Sequence, residues 1–353
     1  IVRPNGAASA FGYDLASRLT SLTQDVSGTT NDLSRMFTYN LASQLQTRIN
    51  ATAAHAYSPL TATSSYAVNG RNQYTTVAGA THTHDLNGNL TSDGSRNFAY
   101  DAENRLTSVS GSQSLTLTYD PLGRLRQTSA GPTTDFLYEG DRLIAEYNGA
   151  TLLKRYAHGP GVDEPIVWYE GVTLATKRWL HPDERGSIVT WTDASAVATV
   201  YRYGAYGEPA NNDFSGSRFR YIGQIALPEV SLYHYKARVY DPTLGRFLQT
   251  DPVGYQDDLN LYAYVRSDPL NLFDPSGTDS YVVARPLSFG PLGVAGFGHA
   301  FVVTNANYVG DPRATVYSFG PTPSGKMGNV SDPANAAAGA VETNQDDRAA
   351  WVA

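Results

Sequence analysis

Aromatic and leucine positions recur regularly through the first half of the chain, separated by short polar stretches. Each unit consists of an aromatic residue, Asp or Asn, a small turn element, a polar residue, Leu, and then Thr or Ser. The units are "YDLASRLTSL" from Tyr13, "YNLASQLQTR" from Tyr39, "YAVNGRNQYT" from Tyr66, "HDLNGNLTSD" from His84, "YDAENRLTSV" from Tyr100, "YDPLGRLRQT" from Tyr119 and "YEGDRLIAEY" from Tyr138. The last four units begin 16, 19 and 19 residues apart, which predicts a repeat architecture.

Each unit is predicted to form a strand, a tight turn and a second strand. The Asn-Gly pairs at 69–70 and 87–88 favour hairpins, and Pro121 to Gly123 gives a similar turn. A hairpin of this length cannot bury its own apolar face, so stacked neighbours must bury a shared layer of Tyr and Leu. We therefore interpret residues 1–180 as scaffold and assign them no chemistry.

Composition agrees with a β-rich chain and excludes several classes of site. The 353 residues include 24 Tyr and 32 Gly, typical of strands joined by many turns. Cysteine is absent, which excludes disulfides, thiolate metal sites and a cysteine nucleophile. The net charge of −7 is spread along the chain and indicates no nucleic-acid surface. We expect no cofactor and no metal site, including at the pair His82 and His84.

Neither a membrane segment nor a signal peptide is predicted from the sequence. No apolar run approaches the roughly 20 residues that span a bilayer. The first residues, "IVRPNGAASAFGYD", lack the basic start and apolar stretch of a signal peptide. We expect the chain to be part of a longer polypeptide.

Asp-Pro occurs four times in a short stretch near residue 260. The four aspartates are Asp241, Asp251, Asp268 and Asp274, in "YDPTLGRFLQTDPVGYQDDLNLYAYVRSDPLNLFDPSG". Asp-Pro and Asp-Pro-x-Gly are ordinary turn sequences, because proline fixes its own φ and biases the preceding residue toward extended geometry. From the residues alone, these are turns.

The repeats and the segment that follows them resemble the Rhs/YD-repeat family, which includes bacterial Rhs proteins and the C components of insecticidal Tc toxin complexes. "LHPDERGSIVTWTDASAVATVYRYGAYGEP" is similar to the usual lead-in. "YHYKARVYDPTLGRF", "TDP", "NLYAYV" and "DPSG" then follow in the order of the Rhs repeat-associated core. The resemblance covers roughly residues 10–277.

The resemblance implies a mainly β fold with three parts. Residues 1–180 would form a YD-repeat β-shell or solenoid segment, and residues 181–277 an inward-folded Rhs core that plugs one end. Residues 278–353 would be a variable C-terminal effector, expected to be a small α+β domain. Such a shell encapsulates the effector as cargo, and the core cuts it free.

The resemblance also implies an aspartic-protease-like site. Asp251 and Asp274 match its two carboxylates, and Arg246 in the "GRF" element is a candidate helper. Two nearby carboxylates share a proton, so that one acts as base while the other acts as acid. The cut is expected at the junction of Gly277, Thr278 and Asp279, in the bond after Thr278, where the family usually has Leu.

The tail changes character after this junction. "YVVARPL", "HAFVVTNA" and "ATVYSFG" are predicted strands, and residues 332–353 are predicted to be helical or loose polar sequence. His299 is a candidate effector residue, because "GHAFVV" weakly resembles the His-bearing strand of papain-like hydrolases.

Three interpretations of function remain open at this point. The first is an interbacterial toxin shell that cuts itself, with a secretion machinery and an immunity protein as partners and delivery to a target cell or the cell surface. The second is an uncleaved structural or adhesive YD-repeat surface protein. The third places a hydrolase-type toxin around His299.

Overall fold

The computed structural model describes residues 1–59, 64–256 and 258–278, together with the backbone of four strands between residues 280 and 329. These residues form 28 strands and five short 3₁₀ turns, which confirms the prediction of a mainly β fold. The described residues contain no helix long and apolar enough to cross a membrane.

The strands before the core run in chain order as β1 (Ala8–Tyr13), β2 (Leu19–Asp25), β3 (Leu33–Tyr39), β4 (Leu45–Asn50), β5 (Tyr66–Val68), β6 (Tyr74–Val77), β7 (Ala80–Thr81), β8 (Thr83–His84), β9 (Leu90–Ser92), β10 (Arg96–Tyr100), β11 (Leu106–Gly111), β12 (Leu115–Tyr119), β13 (Leu125–Ser129), β14 (Thr133–Glu139), β15 (Arg142–Asn148), β16 (Thr151–His158), β17 (Pro165–Glu170), β18 (Lys177–Pro182), β19 (Ile188–Thr192) and β20 (Ala198–Val200).

The later strands are β21 (Ile225–Leu227), β22 (Leu232–Tyr235), β23 (Arg238–Asp241), β24 (Arg246–Phe247), β25 (Ser280–Pro286), β26 (Gly298–Thr304), β27 (Thr315–Pro321) and β28 (Met327–Asn329). The 3₁₀ turns are Ala53–His55, Ala210–Asn212, Tyr221–Gly223, Gly254–Gln256 and Val265–Ser267.

Within each sheet, the strands pair antiparallel with their neighbours in sequence. Strands β8 to β20 form one 13-stranded sheet, while β1–β4 and β5–β7 form two smaller sheets before it. Strands β21–β24 form a compact four-stranded sheet in the core, and β25–β28 form another in the tail. The boundary expected between residues 180 and 181 falls inside β18, so the repeat sheet continues into the first part of the core.

The repeat turns are longer than the tight turns predicted from the Asn-Gly pairs. In the turn of Asp101, Oδ1 accepts the amides of Glu103 and Arg105, both at 2.9 Å, and Arg105 Nε donates to Oδ2 at 2.8 Å. The fourth residue, Asn104, takes the left-handed conformation, with φ +62°. Because the Asp side chain satisfies two loop amides, a five-residue loop replaces the two-residue turn.

The repeated tyrosines link one hairpin to the next. The hydroxyl of Tyr119 donates to the Leu106 carbonyl at 2.8 Å, and Tyr100 bonds to Leu90 in the same way at 2.7 Å. The turn arginine Arg105 also lies over the Tyr119 ring, 5.0 Å from its centre. These contacts explain the repeated Tyr, Asp and Arg as scaffold.

Two of the apolar clusters in the described residues bear on the candidate site. The larger follows the inward positions of the 13-stranded sheet and includes Leu106, Leu125 and Ile188, all with no measurable exposure. The second lies in the core and is mostly aromatic: Phe214, Tyr221, Tyr233, Tyr235, Tyr240, Phe247 and Tyr264. This aromatic cluster supports the hairpin that carries the candidate site.

The tail contains the three predicted strands and a fourth. They form the sheet β25-β26-β27-β28, in which His299 of β26 pairs with Arg285 of β25. The predicted helical segment, residues 332–353, lies outside the described residues.

Candidate functional site

Asp251 and Asp274 both lie close to one nitrogen of a single guanidinium group, that of Arg238. Arg238 Nη2 is 2.8 Å from Asp251 Oδ2 and 3.5 Å from Asp274 Oδ2. All three side chains are buried: Arg238 is 1% exposed, Asp251 8% and Asp274 0%. The structure therefore brings together the two carboxylates predicted from the sequence, although they belong to different Asp-Pro units of the chain.

Arg238 was not predicted as part of this site. It begins β23, its Nη1 donates to the Leu261 carbonyl at 3.2 Å, and its Nε donates to the Gly277 carbonyl. The sequence did carry one signal: Arg238 stands in "YKARVYD", amid residues that are otherwise suited to a buried strand. A buried arginine requires charged or carbonyl partners.

Arg246 lies elsewhere. Its Nη1 donates to the Asn72 carbonyl at 2.6 Å, and its Cζ is 3.8 Å from the centre of the Tyr74 ring. Burial lowers its pKa from the usual arginine value. The arginine that contacts Asp251 and Asp274 is Arg238, so Arg238 occupies the place expected for Arg246.

The remaining Asp-Pro units have separate partners. Asp241 Oδ2 pairs with Arg96 Nη2 at 2.7 Å, which ties the core sheet to β10. Asp268 accepts two hydrogen bonds from the Asn271 amide group, at 2.9 and 3.0 Å. Asp268 thus fixes a turn, as the sequence indicated, and Asp241 does so through Oδ1, which accepts the Thr243 amide at 2.8 Å.

The turn around Asp274 has the form of a repeat turn in which the third and fifth residues are changed. In Asp120-Pro121-Leu122-Gly123-Arg124, Oδ1 accepts the amides of the third and fifth residues, and Arg124 Nε donates to Oδ2 at 2.7 Å. In the 274–278 loop, Oδ1 accepts the amides of Ser276, Gly277 and Thr278 at 3.1, 2.8 and 3.1 Å. The fifth residue is now Thr278, so Oδ2 faces Arg238 instead.

Asp251 sits in a similar turn. Its Oδ1 accepts the Val253 amide at 2.9 Å, Gly254 has φ +68°, and the fifth residue is Tyr255. Both turns thus lack the internal arginine that pairs with the aspartate in the repeats. Arg238, from strand β23, contacts both carboxylates instead.

Burial raises the pKa of the Asp251 carboxyl above its usual range, and the nearby charge of Asp274 raises it further. The Arg238 charge and the Val253 amide act in the opposite direction and offset only part of this effect. A raised pKa keeps a proton on the carboxyl to higher pH, as general acid catalysis requires.

The hairpin tip that carries Arg238 holds three successive carbonyls of the 274–278 loop. The donors and acceptors are Lys236 Nζ to Pro275, the Ala237 amide to Ser276 at 3.1 Å, and Arg238 Nε to Gly277. Gly277 has φ +74°, and a Cβ atom there would lie 2.3 Å from the Tyr235 carbonyl. Only glycine therefore fits between the loop and the hairpin.

The predicted junction is described as far as Thr278. The Thr278 amide donates to Asp274 Oδ1, and its hydroxyl lies 2.7 Å from Ser276 Oγ. Both hydroxyl residues line a cavity of about 610 Å³ together with Lys236 and Pro252. Asp279 lies outside the described residues, as does the side chain of His299.

The chain matches a family model described as Teneurin YD-shell over residues 5–270. It is 30% identical over 268 residues to the tRNA nuclease WapA of Bacillus subtilis, covering 71% of this chain and 11% of that protein. It is 28% identical to the double-stranded DNA deaminase toxin A of Burkholderia cenocepacia, covering 64% of this chain and 19% of that toxin. This chain therefore spans only a small part of the curated relatives it matches.

A solved structure supports the fold. The crystal structure of TcdB2-TccC3 superimposes with a TM-score of 0.54 at 17% identity, covering 78% of this chain and 19% of that one. Together with the repeats, the antiparallel sheets and the match over most of the chain, this confirms the resemblance drawn from the sequence. The chain belongs to the Teneurin YD-shell family of Rhs/YD-repeat proteins.

Proposed function

We propose that this chain is the closing part of a toxin shell that encloses a C-terminal effector and releases it by cutting itself just after the core. The observation that carries the proposal is the position of Arg238. It contacts Asp251 and Asp274 through one nitrogen and the Gly277 carbonyl through another, so both carboxylates lie beside the predicted junction.

The chemistry is hydrolysis of the peptide bond after Thr278. The ionised carboxylate takes a proton from water, whose oxygen attacks the Thr278 carbonyl carbon. The protonated carboxyl, for which Asp251 with its raised pKa is suited, delivers its proton to the departing amide nitrogen. The carbon–nitrogen bond breaks, leaving a carboxylate on Thr278 and a free amine on Asp279.

The effector would act outside the producing cell. The named relatives include a tRNA nuclease and a DNA deaminase toxin, so shells of this kind occur with different toxic activities. By analogy, we propose delivery to a target cell through a secretion machinery, with an immunity protein in the producer. Residues 1–353 contain no cysteine, so they do not supply the nucleophile of a papain-like activity around His299.

An uncleaved scaffold is the second candidate, and one observation favours it. Asp274 is fully buried, and its Oδ1 accepts three backbone amides, as in a purely structural turn. If the site does not cut, the 274–278 loop is simply a well-capped turn that closes the core.

The deciding experiment is the intact mass of the purified chain beside Asp251→Asn and Asp274→Asn. Asp120→Asn is the matched control, because it changes the aspartate of a repeat turn with the same Asp-Pro-x-Gly sequence. We expect two fragments from the parent and the control, with the junction after Thr278, and one uncut chain from the other two variants. An uncut parent would leave the scaffold as the function.

A further inference from the structure

Lys236, at the tip of the hairpin between β22 and β23, has a second partner besides the Pro275 carbonyl. Its Nζ lies 2.8 Å from Asp163 Oδ1 and 2.6 Å from Asp163 Oδ2. Asp163 Oδ2 also accepts a hydrogen bond from Gln224 Nε2 at 2.7 Å. The carboxylate of Asp163 therefore fixes the ammonium group that holds the 274–278 loop.

Asp163 belongs to the repeat sheet rather than to the core. It lies in the loop 159–164 between β16 and β17. Glu164 closes this loop, because its carbonyl accepts the Gly159 amide and its carboxylate accepts the Gly161 amide, both at 2.8 Å. Asp163 itself has φ +49°. Two hydrogen bonds within the loop thus help to fix its shape.

The loop fits closely against the core next to this contact. Gly223 has φ +67°, and a Cβ atom there would lie 2.2 Å from the Asp163 carbonyl oxygen. Glycine at this position allows the two backbones to approach. Docking of the loop therefore places the Asp163 carboxylate beside Lys236 with little freedom.

We propose that Asp163 is a positioning residue for the cut. It acts through Lys236 to set the register of the 274–278 loop against Arg238, so the loop 159–164 must be docked on the core for cleavage. This inference rests on the proposed self-cleavage. It assigns a positioning role to a residue in the segment interpreted from sequence as scaffold alone.

The small contribution of the Lys236–Asp163 ion pair to folding stability distinguishes a positioning role from a general structural one. The side chains of Lys236 and Asp163 are 36% and 20% exposed. An ion pair with this exposure contributes little to folding stability. A small displacement of reacting groups, by contrast, slows a reaction by about tenfold or more. The expected signature is a slower cut in a protein that is almost as stable as the parent.

The test follows cleavage over time during cell-free synthesis, for the parent, Asp163→Asn, Lys236→Met, the double variant and Lys236→Arg. We expect Asp163→Asn to cut about tenfold more slowly, Lys236→Met to cut at least as slowly, and the double variant to be no slower than Lys236→Met. Lys236→Arg keeps both contacts and should restore most of the rate. Asp101→Asn, which breaks another aspartate pair in the same sheet, is the control.

A second measurement does not depend on cleavage. In an Asp251→Asn background, amide exchange at residues 276–278 should be faster in Asp163→Asn than in its parent, with little change in thermal unfolding. A parent that cuts while Asp163→Asn cuts at the same rate overturns the positioning role and leaves the proposed function standing. An uncut parent overturns the proposed function, and unchanged exchange would then overturn the positioning role as well.

Discussion

The guanidinium carbon of Arg238 lies 3.7 Å from the centre of the Phe247 ring. Phe247 is buried in the aromatic cluster of the core, in edge contact with Tyr235, Tyr240 and Tyr264. A cation above an aromatic face is attracted to it, and the effect is larger when both groups are desolvated. Phe247 thus fixes the arginine that faces both carboxylates, and it stands next to Arg246 in the "GRF" element.

Separate substitutions of Arg238 and Arg246 distinguish the roles of the two arginines in cleavage. We expect Arg238→Met to abolish cleavage, because the two carboxylates lose the charge they share and the Gly277 carbonyl loses its donor. Arg238→Lys keeps the positive charge but loses the several N–H donors of the planar guanidinium, so it should retain only a small fraction of the cleavage rate. Arg246→Met should cut like the parent, since Arg246 contacts Asn72 and Tyr74. Loss of cutting in Arg246→Met alone would return the role to Arg246.

Cleavage should slow as the pH rises. Burial and the charge of Asp274 raise the pKa of Asp251, so its folded form holds a proton to higher pH than its unfolded form. The contribution of this carboxyl to stability therefore improves as the pH falls through its folded pKa. The acid form needed for the cut is lost above that pKa, where the rate approaches a fall of about tenfold per pH unit.

The pH dependence can be measured by refolding uncut chain from denaturant into a buffer series and timing the appearance of fragments. Folding is followed separately by tryptophan fluorescence, so that slow folding is not mistaken for slow cutting. A rate that increases from weakly acidic to weakly alkaline buffer would contradict the assignment of Asp251 as the acid.

Gly277 should tolerate no side chain, unlike the glycine of an equivalent repeat turn. In Gly277→Ala the new Cβ meets the Tyr235 carbonyl at 2.3 Å, so the loop must move away from Arg238 and cleavage should stop. Gly123→Ala has the same left-handed φ, but its nearest neighbour is the end of Arg105 at 3.8 Å. The control should lose about 1–2 kcal/mol of stability and still cut. Equal cutting in both variants would show that the loop need not be held as described.

A buried ion pair links the repeat sheet to the core, and breaking it should cause a large loss of folding stability. Arg218 donates to Glu146 through Nε at 3.1 Å and Nη2 at 2.9 Å, and Glu146 is 2% exposed. Arg218→Met leaves that carboxylate buried without its partner, at a loss of about 3–5 kcal/mol. The measurement is the denaturant midpoint in an Asp274→Asn background, and Arg105→Met, in a more exposed pair, should shift it far less.

Replacing both members of the pair provides the counter-test. In Arg218→Met with Glu146→Met, no unpaired charge remains, so the loss should be clearly smaller than in Arg218→Met alone. A double variant less stable than the single one would mean that Arg218 acts through packing on Phe136, 5.3 Å away, rather than through Glu146.

The sequence was informative where a local rule decides the structure. The period of Tyr and Leu could predict stacked hairpins because, within the described sheets, strands pair with their neighbours in sequence. The motif order located Asp251 and Asp274. It did not reveal Arg238 or Asp163, because their roles arise from contacts between segments distant in the chain. The sequence also predicted a tight turn at Asn69-Gly70. In the structure a longer loop is found there, because the side chain of the first aspartate or asparagine, rather than the Asn-Gly pair, determines these loops.

The sheet order has a consequence for the timing of assembly. In strands β8 to β20 each strand pairs with the one made just before it, so hairpins can add one at a time as the chain is synthesised. The groups proposed for the cut follow in chain order: Asp163, Arg238, Asp251 and finally Asp274. The last carboxylate lies only four residues before the bond that it would cut. Under the proposed function, strands β8 to β20 are therefore made before the cutting site, and the effector is made after it, so the sheet is in place to receive the effector as it emerges.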